Sequence, residues 1–298
     1  MQEVLKIEGI TKRYGAIRAV DDLSLEVLKG EVFGILGPNG SGKTTTLGIL
    51  LDITRPDSGT FSWFGQKPTH LARRRIGATL ESPVFYPYLS AINNLKIIAN
   101  IKGIGYQGID EVLELVGLYD RRHSKFRTYS LGMKQRLAIA SVLLGGPEVL
   151  IFDEPTNGLD PQGIAEIRKL IIDLARSGQT IILASHLLDE VQKICSHVAI
   201  LRRGQKLFSG PIGALSKETD VLELGTDDQE KLVSALEEID VISDIKKEGN
   251  LLLVSSQGKL TPAELNRLLI EKGIVLSHLN RRHKSLEQEV LKLLEQQS

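Results

Sequence analysis

The 298-residue sequence contains one cysteine and few aromatic residues, which make up 5% of the chain. A lone cysteine, Cys195, cannot form a disulfide within the chain, so a secreted scaffold held by disulfides is excluded and a reducing compartment is favoured. We expect Cys195 to be a small buried hydrophobic residue. The formal net charge of the sequence is zero, because 37 Lys and Arg balance 37 Asp and Glu. This balance argues against a polycationic protein that binds nucleic acid.

Long apolar runs are absent as well. The longest uncharged apolar run, residues 137–146, is about half of the roughly 20 residues that a membrane-spanning helix needs. Residues 1–15 carry charges at Glu3, Lys6 and Glu8 and lack the apolar core of a signal peptide. With 42% hydrophobic and 25% charged residues, the composition is that of a globular protein. We expect a soluble chain that works at a membrane only if another chain spans it.

Charge divides the sequence into two regions near Ser209-Gly210-Pro211, where turn-forming residues coincide with the change. Residues 1–210 hold 26 basic and 21 acidic residues, net +5, whereas residues 211–298 hold 11 and 16, net −5. The length also suggests about two domains. We therefore expect a larger domain over residues 1–212 and a small α/β accessory domain over residues 213–298.

The first region alternates short apolar runs with helical patterns, which predicts parallel strands covered on both faces by helices. Asp160-Pro161 predicts the start of a helix that Ser177-Gly178 ends. The predicted strands are residues 31–36, 148–153, 180–184 and 198–201.

The second region predicts a further alternation of strands and helices. Thr261 to Glu264 has the form of a capping box with a proline in the first turn. The predicted strands are residues 221–224, 251–255 and 274–278, and the predicted helices are residues 229–239, 262–272 and 286–296, the last of them amphipathic.

A glycine-rich segment, GPNGSGKT at residues 37–44, fits the pattern GxxxxGK[ST] between a predicted strand and the helix-like residues 45–51. Glycines let such a loop curl so that backbone amides cradle phosphate at the positive end of the helix. Lys43 would reach the β- and γ-phosphates, and the Thr44 hydroxyl would ligate magnesium. The residues expected to bind nucleotide here are Gly37, Pro38, Asn39, Gly40, Ser41, Gly42, Lys43, Thr44 and Thr45.

Two acidic residues, Asp153 and Glu154, follow the apolar run 149–152 at the end of a predicted strand. Hydrolysis at a phosphate loop needs a metal ligand and a group that activates water. Asp153 would hold magnesium, directly or through water. Glu154 would orient or deprotonate the attacking water.

Together these motifs resemble those of the ATP-binding cassette (ABC) ATPases over about residues 1–210. Residues 129–136, YSLGMKQR, stand where the family usually has LSGGQ followed by polar residues and arginine, and only Ser130 and Gly132 match LSGGQ outright. Ser130 can cap the helix predicted over residues 132–144 and direct its positive end at a γ-phosphate. In the family that phosphate belongs to the nucleotide on the opposite subunit.

The resemblance implies three further roles. Residues 157–160, NGLD, correspond to the family's D-loop, a dimer contact. His186, at the end of a predicted strand, corresponds to the switch histidine that contacts the γ-phosphate. Tyr14 matches the aromatic residue that stacks on adenine.

Glu81 stands where most of the family has a glutamine that senses magnesium and signals to the membrane partner. A carboxylate attracts the metal more strongly than an amide does, although it also repels Glu154. A glutamate at this position is similar to what is found in the branch of the family that exports bacitracin- and lantibiotic-type peptides. The other interpretation is a solvated loop residue.

Phe85-Tyr86-Pro87-Tyr88 concentrates three aromatic residues in four positions. Exposed aromatic residues commonly anchor interfaces, so the segment is interpreted either as part of a groove for a permease's cytoplasmic helix or as local core packing.

The resemblance implies an α/β fold, namely a P-loop NTPase of the ABC ATPase type with a helical subdomain, followed by the small accessory domain. It further implies an ATPase that uses ATP and magnesium and dimerises around two ATP, as a homodimer or a paired cassette. This subunit would drive a separate transmembrane permease, as an exporter, from the inner face of the cell membrane. No nucleic-acid partner is expected.

Two rival functions are open. A non-transport ABC ATPase of DNA repair would carry long coiled coils before the signature, but 85 residues separate Thr44 from Ser130, and translation members usually hold two cassettes in one chain. A regulatory module would use ATP as a switch for a ligand sensed by residues 213–298. Co-purification with an integral membrane protein would favour transport over both rivals.

Overall fold

The computed structural model describes residues 2–80, 84–215, 221–256 and 260–282. It separates the chain into two compact units, Met1–Ile212 and Gly213–Ser298, each with its own hydrophobic core. Glu81 and the helix predicted over residues 286–296 lie outside the described residues.

The first unit is built from two sheets and the helices packed on them. Its strands are β1 (Glu3–Tyr14), β2 (Ile17–Leu28), β3 (Val32–Leu36), β4 (Ser58–Trp63), β5 (Ile76–Thr79), β6 (Val149–Asp153), β7 (Thr180–Ser185), β8 (His197–Arg202) and β9 (Gln205–Pro211). Its helices are α1 (Lys43–Leu50), α2 (His70–Arg74), α3 (Ala91–Lys102), α4 (Ile109–Leu115), α5 (Leu131–Leu143), α6 (Pro161–Arg176) and α7 (Leu188–Ile194).

The larger sheet has the strand order β5-β6-β7-β3-β8-β9 and is parallel except for β9. Every residue of β3, β6 and β7 is buried, as expected for strands covered on both faces. The prediction of central parallel strands is therefore confirmed. Ser209, Gly210 and Pro211, near which the charge of the sequence changes, belong to β9 and pair with β8.

The smaller sheet, with the order β2-β1-β4, is antiparallel and shares one core with the larger sheet and α1. Trp63 is fully buried in that core, and its Nε1 donates to the Leu50 carbonyl at 3.0 Å, which joins β4 to the end of α1. Strands β1 and β2 carry charged residues along their length and contain no uninterrupted apolar run. No strand was predicted there for that reason.

Helices α3, α4 and α5 lie in sequence between β5 and β6 and pack against one another. Ser90 caps α3 by accepting a hydrogen bond from the Asn93 amide, and Gly103 ends that helix in the left-handed conformation. Helices α3, α4 and α5 together form the expected helical subdomain.

The second unit contains β10 (Val221–Gly225), α8 (Gln229–Glu237), β11 (Ile242–Glu248), β12 (Leu251–Ser256), α9 (Pro262–Glu271) and β13 (His278–Arg282). Its antiparallel sheet has the order β11-β12-β10-β13. The core joins sheet residues such as Leu222 and Val254 to helix residues such as Leu236 and Leu265.

Both ends of α9 are determined by local chemistry. The predicted capping box is confirmed, because the Thr261 hydroxyl accepts from the Glu264 amide at 3.2 Å and the Glu264 carboxylate accepts from the Thr261 amide at 2.9 Å. At the other end Gly273 has a φ of +72°, and the amides of Gly273 and Ile274 donate to the carbonyls of Ile270 and Leu269.

This helix end also corrects one prediction. The strand predicted over residues 274–278 is wrong, since β13 begins at His278. Ile274 is buried because it packs into the core beside the end of α9, not because it belongs to a strand.

Candidate functional site

The glycine-rich segment of residues 37–44, here called the phosphate loop, joins β3 to α1. Two of its glycines have no room for a side chain. A Cβ at Gly37 would stand 2.3 Å from the Leu201 carbonyl oxygen, and one at Gly42, whose φ is +105°, would stand 2.3 Å from that of Ala19. The loop therefore lies against neighbouring main chain as tightly as glycine allows.

Helix α1 begins at Lys43, two residues earlier than predicted, with Gly42 as its N-cap. The Thr46 amide makes the first bond within the helix, to the Gly42 carbonyl at 2.9 Å. The amides of Lys43, Thr44 and Thr45 precede that bond and stand at the positive end of the helix. This is the geometry that binds phosphate.

Lys43 is buried at the mouth of this loop. Its Nζ donates to the carbonyls of Gly37 at 2.7 Å and Pro38 at 3.3 Å. The same ammonium lies 3.3 Å from Glu154 Oε1. The strand order brings these two residues together, because β3 and β6 flank β7 and all three end at the same edge of the sheet.

Thr44 and Asp153 meet at the same edge, where the Thr44 hydroxyl donates to Asp153 Oδ2 at 2.8 Å. Asp153 is 1% exposed. Mg²⁺ prefers oxygen ligands and usually takes one or two from the protein and others from water and substrate phosphates, and this pair fits that role. Within the described residues no three His, Cys, Asp or Glu side chains gather into a metal cage. Glu81, the third expected ligand, lies outside the described part of the chain.

Glu154 and His186 form a contact one step further along this edge. Glu154 Oε2 lies 2.8 Å from His186 Nδ1 and accepts from the His186 amide at 3.4 Å. The Glu154 amide donates to the Ala184 carbonyl at 2.9 Å, and the residue has a φ of +48°. A non-glycine residue held in the left-handed region is strained, and such strain concentrates at functional sites.

A cavity of about 530 Å³ opens over the phosphate loop and the acidic pair. Two hydrophobic residues of β2, Ile17 and Ala19, line its side, and sequence analysis missed both because no motif contains them. Tyr14 is 51% exposed at the end of β1 and is not among the described residues that line this cavity.

Ser130 and Gly132 line a second cavity, of about 410 Å³, together with Gly158 and Leu159 of the D-loop-like segment. Ser130 caps α5 as predicted, and its hydroxyl accepts from the Met133 amide at 3.3 Å. Asp160 caps α6 in the same way, accepting from the Gly163 amide at 2.9 Å. Ser130 and Gly132 thus line a different opening from the one above Lys43, whereas Leu131, between them, lines both.

The aromatic segment of residues 85–88 has one ring packed inward and two exposed rings. Phe85 packs inward against Phe126, with ring centroids 5.1 Å apart. Tyr86 and Tyr88 are 49% and 64% exposed and lie beside each other at 5.9 Å. They leave an aromatic surface next to the helical subdomain.

Among the described residues no helix has the length and apolar character that a membrane span requires. Cys195 is buried as predicted, and its burial raises the pKa of its thiol to about 12.

Comparisons with known proteins agree with this geometry. The family model described as "ABC transporter" matches residues 20–157. The bacitracin transport ATP-binding protein BcrA of Bacillus licheniformis is 41% identical over 302 residues, which cover 99% of this chain and 98% of that protein. The match therefore includes both units.

Two further proteins match a smaller part of the chain. The lantibiotic transport ATP-binding protein SrtF of Streptococcus pyogenes is 37% identical over 68% of this chain and 88% of its own length. The solved structure of cbiO1 from Clostridium perfringens, part of the ABC transporter complex cbiONQ, has a TM-score of 0.65 and 30% identity over 71% of this chain and 89% of that chain. The present chain is thus an ATPase that belongs to the ABC transporter ATP-binding proteins, and it resembles their bacitracin and lantibiotic branch.

Proposed function

We propose that this ATPase drives a separate transmembrane permease that exports a bacitracin- or lantibiotic-type peptide. The observation that carries the proposal is the convergence of Lys43, the pair Thr44 and Asp153, and the pair Glu154 and His186 at one edge of the parallel sheet. The names of two relatives, for bacitracin and lantibiotic transport, support this class of cargo.

ATP binding is the first step of the proposed cycle. Tyr14 stacks on the adenine, while the amides of the phosphate loop and Lys43 hold the β- and γ-phosphates. Thr44 and Asp153 would hold magnesium, and Glu81 would be a further ligand. When bound, the ion offsets negative charge on the phosphates.

Hydrolysis is the second step. Glu154 holds a water in line with the γ-phosphorus and accepts its proton as the oxygen attacks. The bond from the γ-phosphorus to the bridging oxygen breaks, so ADP leaves with that oxygen and phosphate carries the oxygen from water. His186 orients Glu154 through their 2.8 Å contact and donates to the γ-phosphate oxygens.

Two copies complete each other's sites in this proposal. Ser130 and Gly132 line an opening other than the one above Lys43, with Leu131 shared by both, and this placement supports a role towards the nucleotide of a second chain. The N-terminus of α5 then supplies positive potential to that γ-phosphate. The second cassette is an identical chain or a paralogue.

The permease is the remaining partner. Tyr86 and Tyr88 offer an exposed aromatic surface of the kind that anchors interfaces, and we assign it to contact with the permease at the inner face of the cell membrane. A polytopic chain that co-purifies from detergent-solubilised membranes supports transport, whereas a permease-free complex supports the regulatory or non-transport alternative.

The main test is Glu154→Gln. This variant keeps the size of the side chain but removes the proton acceptor, so we expect it to bind ATP, to hydrolyse it about 1000-fold more slowly, and to accumulate as an ATP-dependent dimer. Turnover is measured by phosphate release and dimerisation by light scattering. Glu111→Gln, at an exposed position in α4, is the matched control.

Two outcomes contradict the proposal. Undiminished turnover in Glu154→Gln removes the role given to Glu154. A variant that binds ATP but stays a single chain at every concentration removes the two-copy site.

A further inference from the structure

A row of three aromatic rings leads to the residue that precedes Ser130. The rings of Phe85 and Phe126 are 5.1 Å apart and nearly edge to face, and those of Phe126 and Tyr129 are 6.2 Å apart. Both separations lie in the range in which aromatic rings attract one another. Since Tyr129 is followed directly by Ser130, the row ends at the cap of α5.

Tyr129 stands where the family usually has leucine, and it makes a contact that leucine cannot make. Its hydroxyl donates to the Arg121 carbonyl at 2.7 Å, and the side chain is 4% exposed. Burial raises the pKa of Tyr129, which keeps its hydroxyl protonated as a donor. The ring is therefore held at both its edge and its polar end.

The main chain joins the same two segments. The Phe126 amide donates to the Leu89 carbonyl at 2.8 Å, and the Arg127 amide donates to the Pro87 carbonyl at 2.9 Å. The buried Asn94 fixes this loop from the other side, because its Oδ1 accepts from the Tyr86 amide at 2.8 Å. The loop that exposes Tyr86 and Tyr88 is thus bound to the segment before the signature.

The first turn of α5 also rests on this row. Lys134 Nζ lies 5.4 Å from the centroid of the Phe126 ring, within the range of a cation–π contact. Ser130 itself is exposed, so its position depends on Tyr129 before it and on the first turn after it.

We infer that Phe85, Phe126 and Tyr129 are positioning residues for ATP hydrolysis. They fix Ser130 and the start of α5 where these meet the γ-phosphate of the other copy, and they make that position depend on the loop with the exposed tyrosines. The inference rests on the proposed function, in which Ser130 completes the opposite site.

The first test is Tyr129→Phe, which keeps the ring and removes the hydroxyl. We expect kcat to fall about tenfold, the scale of a lost hydrogen bond combined with a small shift of a catalytic group. The Kd for ATP of the single chain, measured by titration, stays unchanged because Lys43 and the phosphate loop are untouched. Tyr106→Phe is the control, since its hydroxyl contacts Asn100 at the surface.

The second test is Phe126→Leu, which removes both ring contacts and the one to Lys134. A larger fall in kcat than for Tyr129→Phe is expected, again with unchanged ATP affinity. If kcat and ATP affinity fall in proportion to a loss of thermal stability, the row is only structural and the inference is overturned. Turnover equal to that of Tyr106→Phe overturns it as well.

Ser130→Ala separates this inference from the proposed function. Slow hydrolysis in Ser130→Ala together with normal turnover in Tyr129→Phe and Phe126→Leu removes the positioning role alone. Normal turnover in Ser130→Ala contradicts the two-copy site itself.

Discussion

The two units of the chain differ in what they bury. In the first unit the buried side chains include ionisable residues, among them Lys43, Asp153 and Glu190. In the described part of the second unit no buried side chain is polar or charged, and the core is formed by residues such as Leu224 and Leu236. Burying a charge costs free energy unless it is paired, so such groups persist mainly where chemistry needs them.

Backbone conformation shows the same difference. Glu154 adopts a φ of +48° beside the buried acid, although it is not glycine. In the described residues of the second unit every residue with positive φ is a glycine, such as Gly249 and Gly273. Among the described residues, all five non-glycine residues with positive φ therefore lie in the first unit, and one of them is Glu154 at the site, whereas the second unit follows the rules for a stable fold.

The largest effect is expected from Lys43→Ala. Removing the ammonium takes away a charge held at the phosphate loop and leaves Glu154 without its 3.3 Å partner. We expect kcat/KM for ATP to fall about 100-fold to 1000-fold, the range for loss of one group that stabilises transition-state charge. Phosphate release measures the loss.

Lys29→Ala is the matched control, because Lys29 is exposed in the turn between β2 and β3. Near wild-type turnover in Lys43→Ala contradicts the role given to the buried Lys43 ammonium in ATP hydrolysis. Unfolding of the second unit by urea is expected to be the same in both variants.

The next test introduces a cavity into the hydrophobic core of the second unit. Leu236→Ala removes a fully buried side chain from α8, and such a change costs about 2–5 kcal/mol of stability. We expect the second unit to unfold at lower urea concentration while ATP turnover is retained. Leu268→Ala, at a position that is 37% exposed in α9, serves as the control and should cost less.

The rate of chemical labelling of Cys195 shows, in the same experiment, whether the first unit stays folded. Because burial raises the pKa of its thiol to about 12, the folded unit presents little thiolate to an alkylating reagent. The rate of labelling by iodoacetamide is therefore expected to be equal in Leu236→Ala and the wild type. Faster labelling and lower turnover would show that the two units unfold together.

Features set by a few neighbouring residues could be predicted from the sequence. The phosphate loop, the caps at Ser130 and Asp160, and the capping box at Thr261 each depend on residues within one turn. The central strands were equally clear, because burial on both faces leaves an apolar run.

Features set by distant pairing could not be predicted in this way. In β11 only Ile242 and Ile245 are half-buried and the other residues are exposed, so its apolar pattern is weak and its strand depends on pairing with β12. The approach of Lys43 to Glu154 follows from the strand order, which no local pattern contains. Ile17 lines the cavity without belonging to a motif.

The smallest effect is expected at the start of α9, from Thr261→Ala. The Thr261 hydroxyl accepts from the Glu264 amide, and removing such a cap costs about 1 kcal/mol of stability. Urea unfolding of the second unit near neutral pH measures this loss. Ser234→Ala, which removes a hydroxyl that bonds only within α8, is the control and should change little.

This cap is also expected to depend on pH. Hydrogen bonds from the Thr261 amide and then from its hydroxyl lower the pKa of Glu264 in the folded state. The ionised carboxylate therefore adds stability above the pKa of the unfolded chain, and that contribution is lost as the pH falls through the lower folded value. Since the described second unit buries no charged side chain, surface groups such as Glu264 must carry its sensitivity to acid. If the difference in the free energy of unfolding between wild type and Thr261→Ala is the same at neutral pH and at about pH 3, the hydroxyl caps α9 without the carboxylate.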